Sequence, residues 1–185
     1  MILILMGVSG SGKSTVAPVL ASLTGWQFAE GDAYHSGVNL SKLSAGIALN
    51  DEDRIPWLVR LHDVLRQWHE RGQSGILTCS ALKQCYRDAL CEGLPAESYR
   101  FVLLEGTREV FEERLGKRTG HFMNPALLAS QLATLEIPAD AIRVSVQQSP
   151  NEIAQRILDG LAVLKKDAGA YGCGDCSMLE EFIKD

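Results

Sequence analysis

Nine residues near the start of the chain, Gly7 to Thr15, read GVSGSGKST and have the composition of a phosphate-holding loop. In the pattern GxxxxGK[ST], placed between a strand and a helix, the glycines let backbone N–H groups turn toward a phosphate. Lys13 adds a cation that can follow the γ-phosphate, and Ser14 can offer its hydroxyl to Mg²⁺. The predicted nucleotide-binding residues of the loop are Gly7, Val8, Ser9, Gly10, Ser11, Gly12, Lys13, Ser14 and Thr15.

The rest of the sequence narrows the class of nucleotide-binding protein. It contains no NKxD sequence for guanine, which argues against a regulatory GTPase, and its 185 residues are too few for a motor or transporter ATPase. A small ATP-dependent kinase remains. Phosphoryl transfer to a hydroxyl needs a carboxylate at the acceptor, a cation for the migrating charge and a lid that excludes water.

The sequence GDAYH, residues 31–35, supplies the carboxylate. Asp32 directly follows a predicted strand, and open α/β sheets bind their ligands at that end of the strands. Asp32 could align the acceptor hydroxyl and accept its proton, which we favour. It could instead hold Mg²⁺ through water, or be an ordinary turn aspartate. His35 is a candidate substrate contact, although a lone histidine is as often a packing or surface residue.

The sequence EGTREVFEERLGKRTGH, residues 105–121, carries the candidate lid cations. Arg114 and Arg118 are four residues apart, which puts both guanidinium groups on one face of a helix. With Gly120 after them, they fit a lid hinge in which one arginine stacks on adenine and the other reaches the phosphates. An ordinary solvated, charged helix face is the alternative.

Strands and helices alternate along the chain, which predicts an α/β fold with a parallel five-stranded sheet and helices on both faces. The predicted strands are residues 2–6, 26–30, 75–79, 100–104 and 142–146. The predicted helices include residues 14–23, with Val16, Leu20 and Leu23 on one apolar stripe, 58–68, and 109–116. The last helix opens on a capping box formed by Ser149 and Glu152 and ends near Lys166.

Two polar segments, 33–56 and 117–140, do not follow this alternation and are expected at the ligand-facing end of the sheet. We therefore predict one domain over residues 1–166, with a substrate-binding segment at about 33–56 and a lid at about 114–135. Residues 167–185 form a linker-like tail that could contain one short helix.

Composition and charge limit the partners. A net charge of −5 argues against nucleic acid, which is bound by basic surfaces. No apolar run approaches the roughly 20 residues of a membrane span, and the start MILILM lacks the basic leader of a signal peptide. Five cysteines, an odd number, favour a reducing, cytoplasmic setting. Cys173 and Cys176 form a CxxC without a second ligand pair, so two solvent-facing thiols are favoured over a metal or redox site.

Five motifs, in order and with family-like spacing, are more specific: MGVSGSGKSTVA, GDAYH, LNDEDRIPWL, CSALKQCYRD and GHFMNPALLASQLATLE. Together they closely resemble the gluconokinases of the small P-loop type, relatives of shikimate and adenylate kinases, over about residues 2–166. The resemblance implies a P-loop kinase fold with a lid and a substrate-binding insertion. It also implies ATP- and Mg²⁺-dependent phosphorylation of D-gluconate to 6-phospho-D-gluconate, which feeds the pentose phosphate pathway, by a homodimer.

D-Gluconate carries its carboxylate at the end away from the 6-hydroxyl, so its site needs cations as well as partners for the hydroxyls. Arg54, Lys83 and Arg87 are the available cations, each beside a loop at the ligand end of the sheet. The predicted substrate-binding residues are Asp32, His35, Arg54, Lys83, Arg87, His121 and Gln131, with Asp51 and Asp53 as further partners for hydroxyls.

Each of these cations has a structural alternative. Arg54 could form a salt bridge with a nearby aspartate, Asp51 or Asp53, and Arg87 could pair with Asp88 or Glu92. In the sequence SALK, residues 80–83, Ser80 is expected to cap the following helix while Lys83 points to the substrate or the transferring phosphate.

Two other functions stay open. A shikimate kinase would use the same scaffold, but that type carries a second acidic residue two positions after the first, where this chain has Tyr34. A nucleotide-bound interaction module without catalysis is disfavoured, because Lys13, Ser14, Asp32 and both lid arginines are intact.

Overall fold

The computed structural model of the chain describes residues 1–117 and 125–170. Five strands are present there: β1 (Ile2–Met6), β2 (Gln27–Glu30), β3 (Gly75–Thr78), β4 (Tyr99–Glu105) and β5 (Ile142–Ser145). They form one parallel sheet in the order β2-β3-β1-β4-β5. The five predicted strands are confirmed, with ends that differ by one residue at most.

The described residues also contain seven α-helices on the two faces of this sheet. They are α1 (Lys13–Thr24), α2 (Gly37–Ser44), α3 (Asp51–Glu70), α4 (Gln84–Cys91), α5 (Arg108–Gly116), α6 (Pro125–Thr134) and α7 (Pro150–Ala170). Within the described ranges, no helix is both long enough and apolar enough to cross a bilayer.

The central strand β1 is buried on both faces, because successive side chains of a strand point to opposite sides of the sheet. Leu3 and Leu5 pack into a core that includes apolar residues of α1 and α7. Ile2, Ile4 and Met6 pack into a second core that includes apolar residues of α3 and α4. The sheet is therefore covered on both faces, as predicted, which leaves the loops at the strand ends as the place for a ligand.

Two segments that were expected to depart from the strand–helix alternation contain helices in the part that the structure describes. The segment 33–56 contains α2 and the start of α3, and the segment 117–140 contains α6. The helix α3 begins at Asp51, seven residues before its predicted start at Leu58. A capping box explains the early start, since Asp53 N donates to Asn50 Oδ1 at 2.8 Å and Asn50 N donates to Asp53 Oδ2 at 3.1 Å.

The ends of two other helices also differ from expectation. Leu23, predicted to lie on the apolar stripe of α1, is 56% exposed, whereas Val16 and Leu20 are buried. The capping box of α7 is confirmed, with Glu152 N donating to Ser149 Oγ at 3.3 Å. That helix continues to Ala170, beyond its predicted end. Residues 171–185, with the CxxC, lie outside the described part of the chain.

The turn after β2 is tied to two neighbouring elements. Gly31 N donates to Thr78 Oγ1 at 3.1 Å, and Trp57 Nε1 donates to Gly31 O at 2.8 Å. The hydroxyl of Thr78 in turn donates to the carboxylate of Glu30. These bonds fix the position of Asp32 just beyond the carboxyl end of β2, beside β3.

Gly31 leaves no room for a side chain, because a Cβ there would lie 2.0 Å from Thr78 O. We expect Gly31→Ala to lower the free energy of unfolding by about 1–3 kcal/mol, as overpacking does. Urea titration measures the loss. The matched control is Gly37→Ala, where a Cβ meets no atom within 4 Å, and its unfolding free energy should be unchanged or slightly higher. A wild-type urea midpoint for Gly31→Ala would contradict the close approach of the two strand ends.

Candidate active site

The phosphate loop lies between β1 and α1 and has a backbone that only glycine adopts readily. Gly7, Gly10 and Gly12 have φ angles of 138°, 80° and 96°. The helix α1 starts at Lys13, so its first N–H groups, which lack intrahelical partners, face the loop. Ser14 and Thr15 are exposed in the first turn. Such a helix start attracts anions.

The ammonium group of Lys13 lies against this loop. Its Nζ donates to Gly7 O at 2.9 Å and to Val8 O at 3.1 Å. These bonds hold a positive charge at the place where the sequence predicts nucleotide phosphates.

Arg114 of α5 lies beside the same loop. Its guanidinium group donates to Val146 O, and a Cβ built on Gly12 would be 3.4 Å from Arg114 Nη1. The arginine therefore reaches both the phosphate loop and the residue that follows β5. Arg118, its predicted companion, and His121 lie outside the described residues.

A cleft of about 530 Å³ opens beside the phosphate loop, and we call it the polar cleft. It is walled by the chain between α2 and α3, the start of α3, the residues just before α4, and α6. Its lining residues are Leu43, Ala48, Leu49, Asn50, Asp51, Glu52, Arg54, Leu82, Lys83, Leu127, Ser130, Gln131 and Thr134. The structure thus brings together Arg54, Lys83 and Gln131, three residues that the sequence predicts to bind substrate.

Asp51 is the centre of the charged side of the cleft. Lys83 Nζ lies 2.9 Å from Asp51 Oδ2, and Arg54 Nη1 lies 3.6 Å from Asp51 Oδ1. The hydroxyl of Tyr86 donates to the same carboxylate. Hydrogen bonds from Tyr86 and Lys83 lower the pKa of Asp51, so the carboxylate stays ionised at neutral pH.

Tyr86 also contacts both cations of the cleft. Arg54 Nη1 donates to Tyr86 OH at 3.3 Å, and the Arg54 and Lys83 charges lie 5.5 Å and 5.3 Å from the ring centroid. Cation–π attraction is effective within about 6 Å. The ring therefore keeps the two positive charges on one side of the cleft.

Gln131 of α6 joins the polar cleft to the phosphate loop. Its Oε1 accepts a hydrogen bond from Ser9 N at 2.7 Å, although the two residues are 122 positions apart. The nucleotide-binding loop and the polar cleft are therefore neighbouring parts of one site.

Comparisons with known proteins identify the family to which the chain belongs. A family model described as an AAA domain matches residues 2–138. A gluconokinase from Gluconobacter oxydans is 47% identical over 160 residues, which are 84% of this chain and 88% of the relative. The chain belongs to the gluconokinase family.

Two crystal structures agree with this gluconokinase assignment. A gluconokinase from Sinorhizobium meliloti is 42% identical with a TM-score of 0.80, over 92% of this chain and 97% of that chain. A sugar kinase from Janibacter sp. is 46% identical, also with a TM-score of 0.80, over 88% of this chain and 94% of that chain. The P-loop kinase fold that the motifs predict is therefore confirmed.

Arg87 of this gluconokinase-family chain is not among the residues that line the polar cleft. Its side chain is buried, and Nη1 donates to Ala81 O at 2.9 Å and to Leu82 O at 3.2 Å. Nη2 donates to the side chain of Gln84 at 2.7 Å. These bonds hold the backbone before α4, and the substrate contact of Arg87 stays a prediction.

Two further residues of this region have structural roles that the sequence did not predict. The N-cap of α4 is Lys83, so Ser80 does not cap that helix; its carbonyl accepts from Gly7 N at 3.3 Å. Asp53, a predicted partner for hydroxyls, forms a salt bridge of 2.6 Å with Lys42 and belongs to the capping box of α3. Tyr86 was not predicted. Its place in the motif CSALKQCYRD, between charged residues, was the available signal.

His35 lies next to Asp32 and stacks on Trp57, with ring centroids 4.5 Å apart and planes at 15°. Its Nδ1 is buried without a hydrogen-bond partner. Burial lowers the pKa of His35, the negative charge of Asp32 opposes this, and Arg54 lowers it further. The neutral imidazole is therefore the form present at neutral pH.

The lowered pKa of His35 predicts how stability depends on pH. His35 binds a proton less readily in the folded protein than in the unfolded chain. The contribution of neutral His35 to the free energy of unfolding is therefore present above about pH 6.5 and is lost as the pH falls. His35→Phe keeps the aromatic stack and removes the titration. We expect acidification to lower the urea midpoint of the wild type more than that of His35→Phe. Equal losses in the two proteins would contradict the lowered pKa.

Proposed function

We propose that the protein transfers the γ-phosphoryl group of ATP to the 6-hydroxyl of D-gluconate and releases 6-phospho-D-gluconate. One observation carries this proposal: the hydrogen bond between Ser9 and Gln131 joins the phosphate loop to a cleft that holds two cations. Membership of the gluconokinase family supports gluconate as the acceptor. The same membership supports a homodimer in the cytoplasm that supplies the pentose phosphate pathway.

The phosphate loop and Lys13 would bind the β- and γ-phosphates and stabilise the charge that moves during transfer. Ser14, exposed in the first turn of α1, would hold Mg²⁺ together with the phosphates. Bound there, magnesium would neutralise phosphate charge. Arg114, which lies beside Gly12, would be a further cation for the nucleotide. Arg118 and His121 stay predicted contacts of nucleotide and substrate.

Asp32 would align the acceptor hydroxyl and accept its proton. The turn that holds it is tied to β3 and to Trp57, which limits its freedom to move. Lys83 and Arg54 would bind the gluconate carboxylate at the far end of the cleft, with Gln131 and His35 near the hydroxyls. We assign Arg87 to positioning of the loop that carries Lys83, because its guanidinium group is bonded to that loop.

The role of Asp32 predicts a selective loss of turnover. Asp32→Asn keeps the shape but cannot accept a proton, and general base catalysis contributes about 10²- to 10⁴-fold. We expect kcat to fall by that factor while the Kd for ATP, measured by calorimetry, changes less than about threefold. The control is Asp63→Asn, the same substitution on an exposed residue of α3, which should leave both unchanged. A loss of ATP affinity with kcat preserved would make Asp32 a nucleotide ligand.

The acceptor is tested by comparing gluconate, glucose and shikimate in an ADP-release assay. Hydrogen bonds to charged groups contribute about 1.5–3 kcal/mol each, so kcat/KM for gluconate should exceed that for glucose at least about 100-fold. Arg54→Met and Lys83→Met should each raise KM for gluconate about tenfold or more with little change in kcat, because the carboxylate is remote from the reacting hydroxyl. Arg66→Met, on the exposed part of α3, is the control. Glucose within tenfold of gluconate in the wild type would overturn the proposal.

A further inference from the structure

The residues just after α6 are bonded to the loop just before α4. Glu136 N donates to Leu82 O at 2.8 Å, and Glu136 Oε2 accepts a hydrogen bond from Gln84 N at 2.5 Å. Gln84 is the first residue of α4, whose N-cap residue Lys83 makes no side-chain capping bond. The first N–H groups of a helix need partners from outside, and a carboxylate there also matches the helix dipole. Glu136 therefore caps α4 from a distant part of the chain.

The loop that Glu136 holds has a strained backbone. Ala81 has a φ of 44° and is the one non-glycine residue with positive φ among those that the structure describes. An L-residue rarely adopts this conformation, and such strain persists where the surroundings hold the backbone. Arg87 holds the loop through Ala81 O and Leu82 O, and Glu136 holds it through Leu82 O and Gln84 N.

The position of this loop decides where two groups of the polar cleft lie. Lys83 is part of the loop, and Tyr86 follows it in the first turn of α4; both bond to Asp51 across the cleft. On the other side of Glu136 is α6, which carries Gln131 and its bond to Ser9. Glu136 thus joins the wall of the cleft that bears the lysine to the wall that contacts the phosphate loop.

The segment that carries Glu136 has an anchor of its own. The preceding residue, Leu135, packs against apolar residues of both cores, whereas the side chain of Glu136 is exposed. Removal of the carboxylate therefore leaves the segment in place and takes away only the cap. The expected effect is a shift of the Lys83 loop without loss of the fold.

We propose that Glu136 is a positioning residue for the acceptor site, which caps α4 across the chain and thereby holds Lys83 and Tyr86 against Asp51. This inference rests on the proposed function, since it assigns Lys83 to the gluconate carboxylate. The bonds of Glu136 reach Leu82 and Gln84 and no predicted nucleotide-binding residue, so its loss should affect gluconate binding and not ATP binding.

The test compares three variants in steady-state kinetics with gluconate and ATP. Loss of a helix cap is worth about 1 kcal/mol, so Glu136→Ala should raise KM for gluconate about fivefold, with KM for ATP and kcat within twofold of wild type. Glu136→Gln keeps an oxygen that accepts from Gln84 N and should return KM for gluconate to within twofold of wild type. Glu97→Ala, an exposed glutamate before β4, is the control and should change nothing.

A double-mutant comparison tests the contact itself. Gln84→Pro removes the N–H that bonds to Glu136, at the first helical position, where proline is tolerated. It also removes the side-chain acceptor of Arg87, so the effect of Glu136→Ala is measured against Gln84→Pro alone as the reference. If the bond is the cause, Glu136→Ala should add nothing to KM for gluconate when combined with Gln84→Pro. Additive effects would overturn the proposal. So would equal rises in both KM values, failure of glutamine to rescue, or an unchanged KM in Glu136→Ala.

The outcomes also separate this inference from the proposed function. If the wild type phosphorylates gluconate and Glu136→Ala leaves KM for gluconate unchanged, only the positioning role of Glu136 is wrong. A wild type that does not phosphorylate gluconate removes both.

Discussion

Gly7 and Gly10 of the phosphate loop pack so closely against their neighbours that a side chain would be crowded, and the rest of the site depends on this close packing. A Cβ on Gly7 would lie 2.9 Å from Leu104 O, and one on Gly10 would lie 3.1 Å from Phe111 O. Both backbones are in the left-handed region as well. Because the loop is so thin, the end of β4 and the helix α5 lie directly against it, and Arg114 comes within reach of the phosphate site.

The loop is also joined to the rest of the carboxyl edge of the sheet by single hydrogen bonds. Gly7 N is bonded to Ser80 O, and Ser9 N is bonded to the side chain of Gln131. Ser80 leads to the loop that carries Lys83, and Gln131 belongs to α6. Glu136, just after α6, is bonded to the Lys83 loop and so connects these two segments directly. The loops at this edge of the sheet are thus bonded to one another as well as to the strands that they follow. These bonds hold the side chains of the site in fixed positions on the scaffold of the sheet.

The sequence was sufficient where short-range physics decides the structure. The strands, the phosphate loop and the capping box at Ser149 follow from apolar runs, glycine spacing and local side-chain bonds, and all were predicted. Arg87 was assigned to the substrate because its charge is visible in the sequence. Its burial, and the carbonyl groups that surround it, depend on how α4 packs against the sheet. Glu136 was missed for the same reason, since its partner Gln84 is 52 residues away.

The two cations of the polar cleft, which we propose to bind the acceptor, already have a partner, and this changes how the proposed site selects its acceptor. Asp51 already neutralises part of the charge on Lys83 and Arg54, so a neutral sugar in the cleft would not leave two unpaired cations. The penalty that usually makes a charged site reject uncharged analogues is therefore reduced.

Asp51 and the Tyr86 ring also hold both cations in position before an acceptor binds, which lowers the entropy lost on binding. Discrimination then depends on how well the acceptor carboxylate and hydroxyls fit this fixed arrangement. In the proposed site, the phosphates are bound mainly by one short backbone motif, whereas the acceptor is bound by side chains of distant segments. Acceptor preference can therefore change while the phosphate loop stays the same.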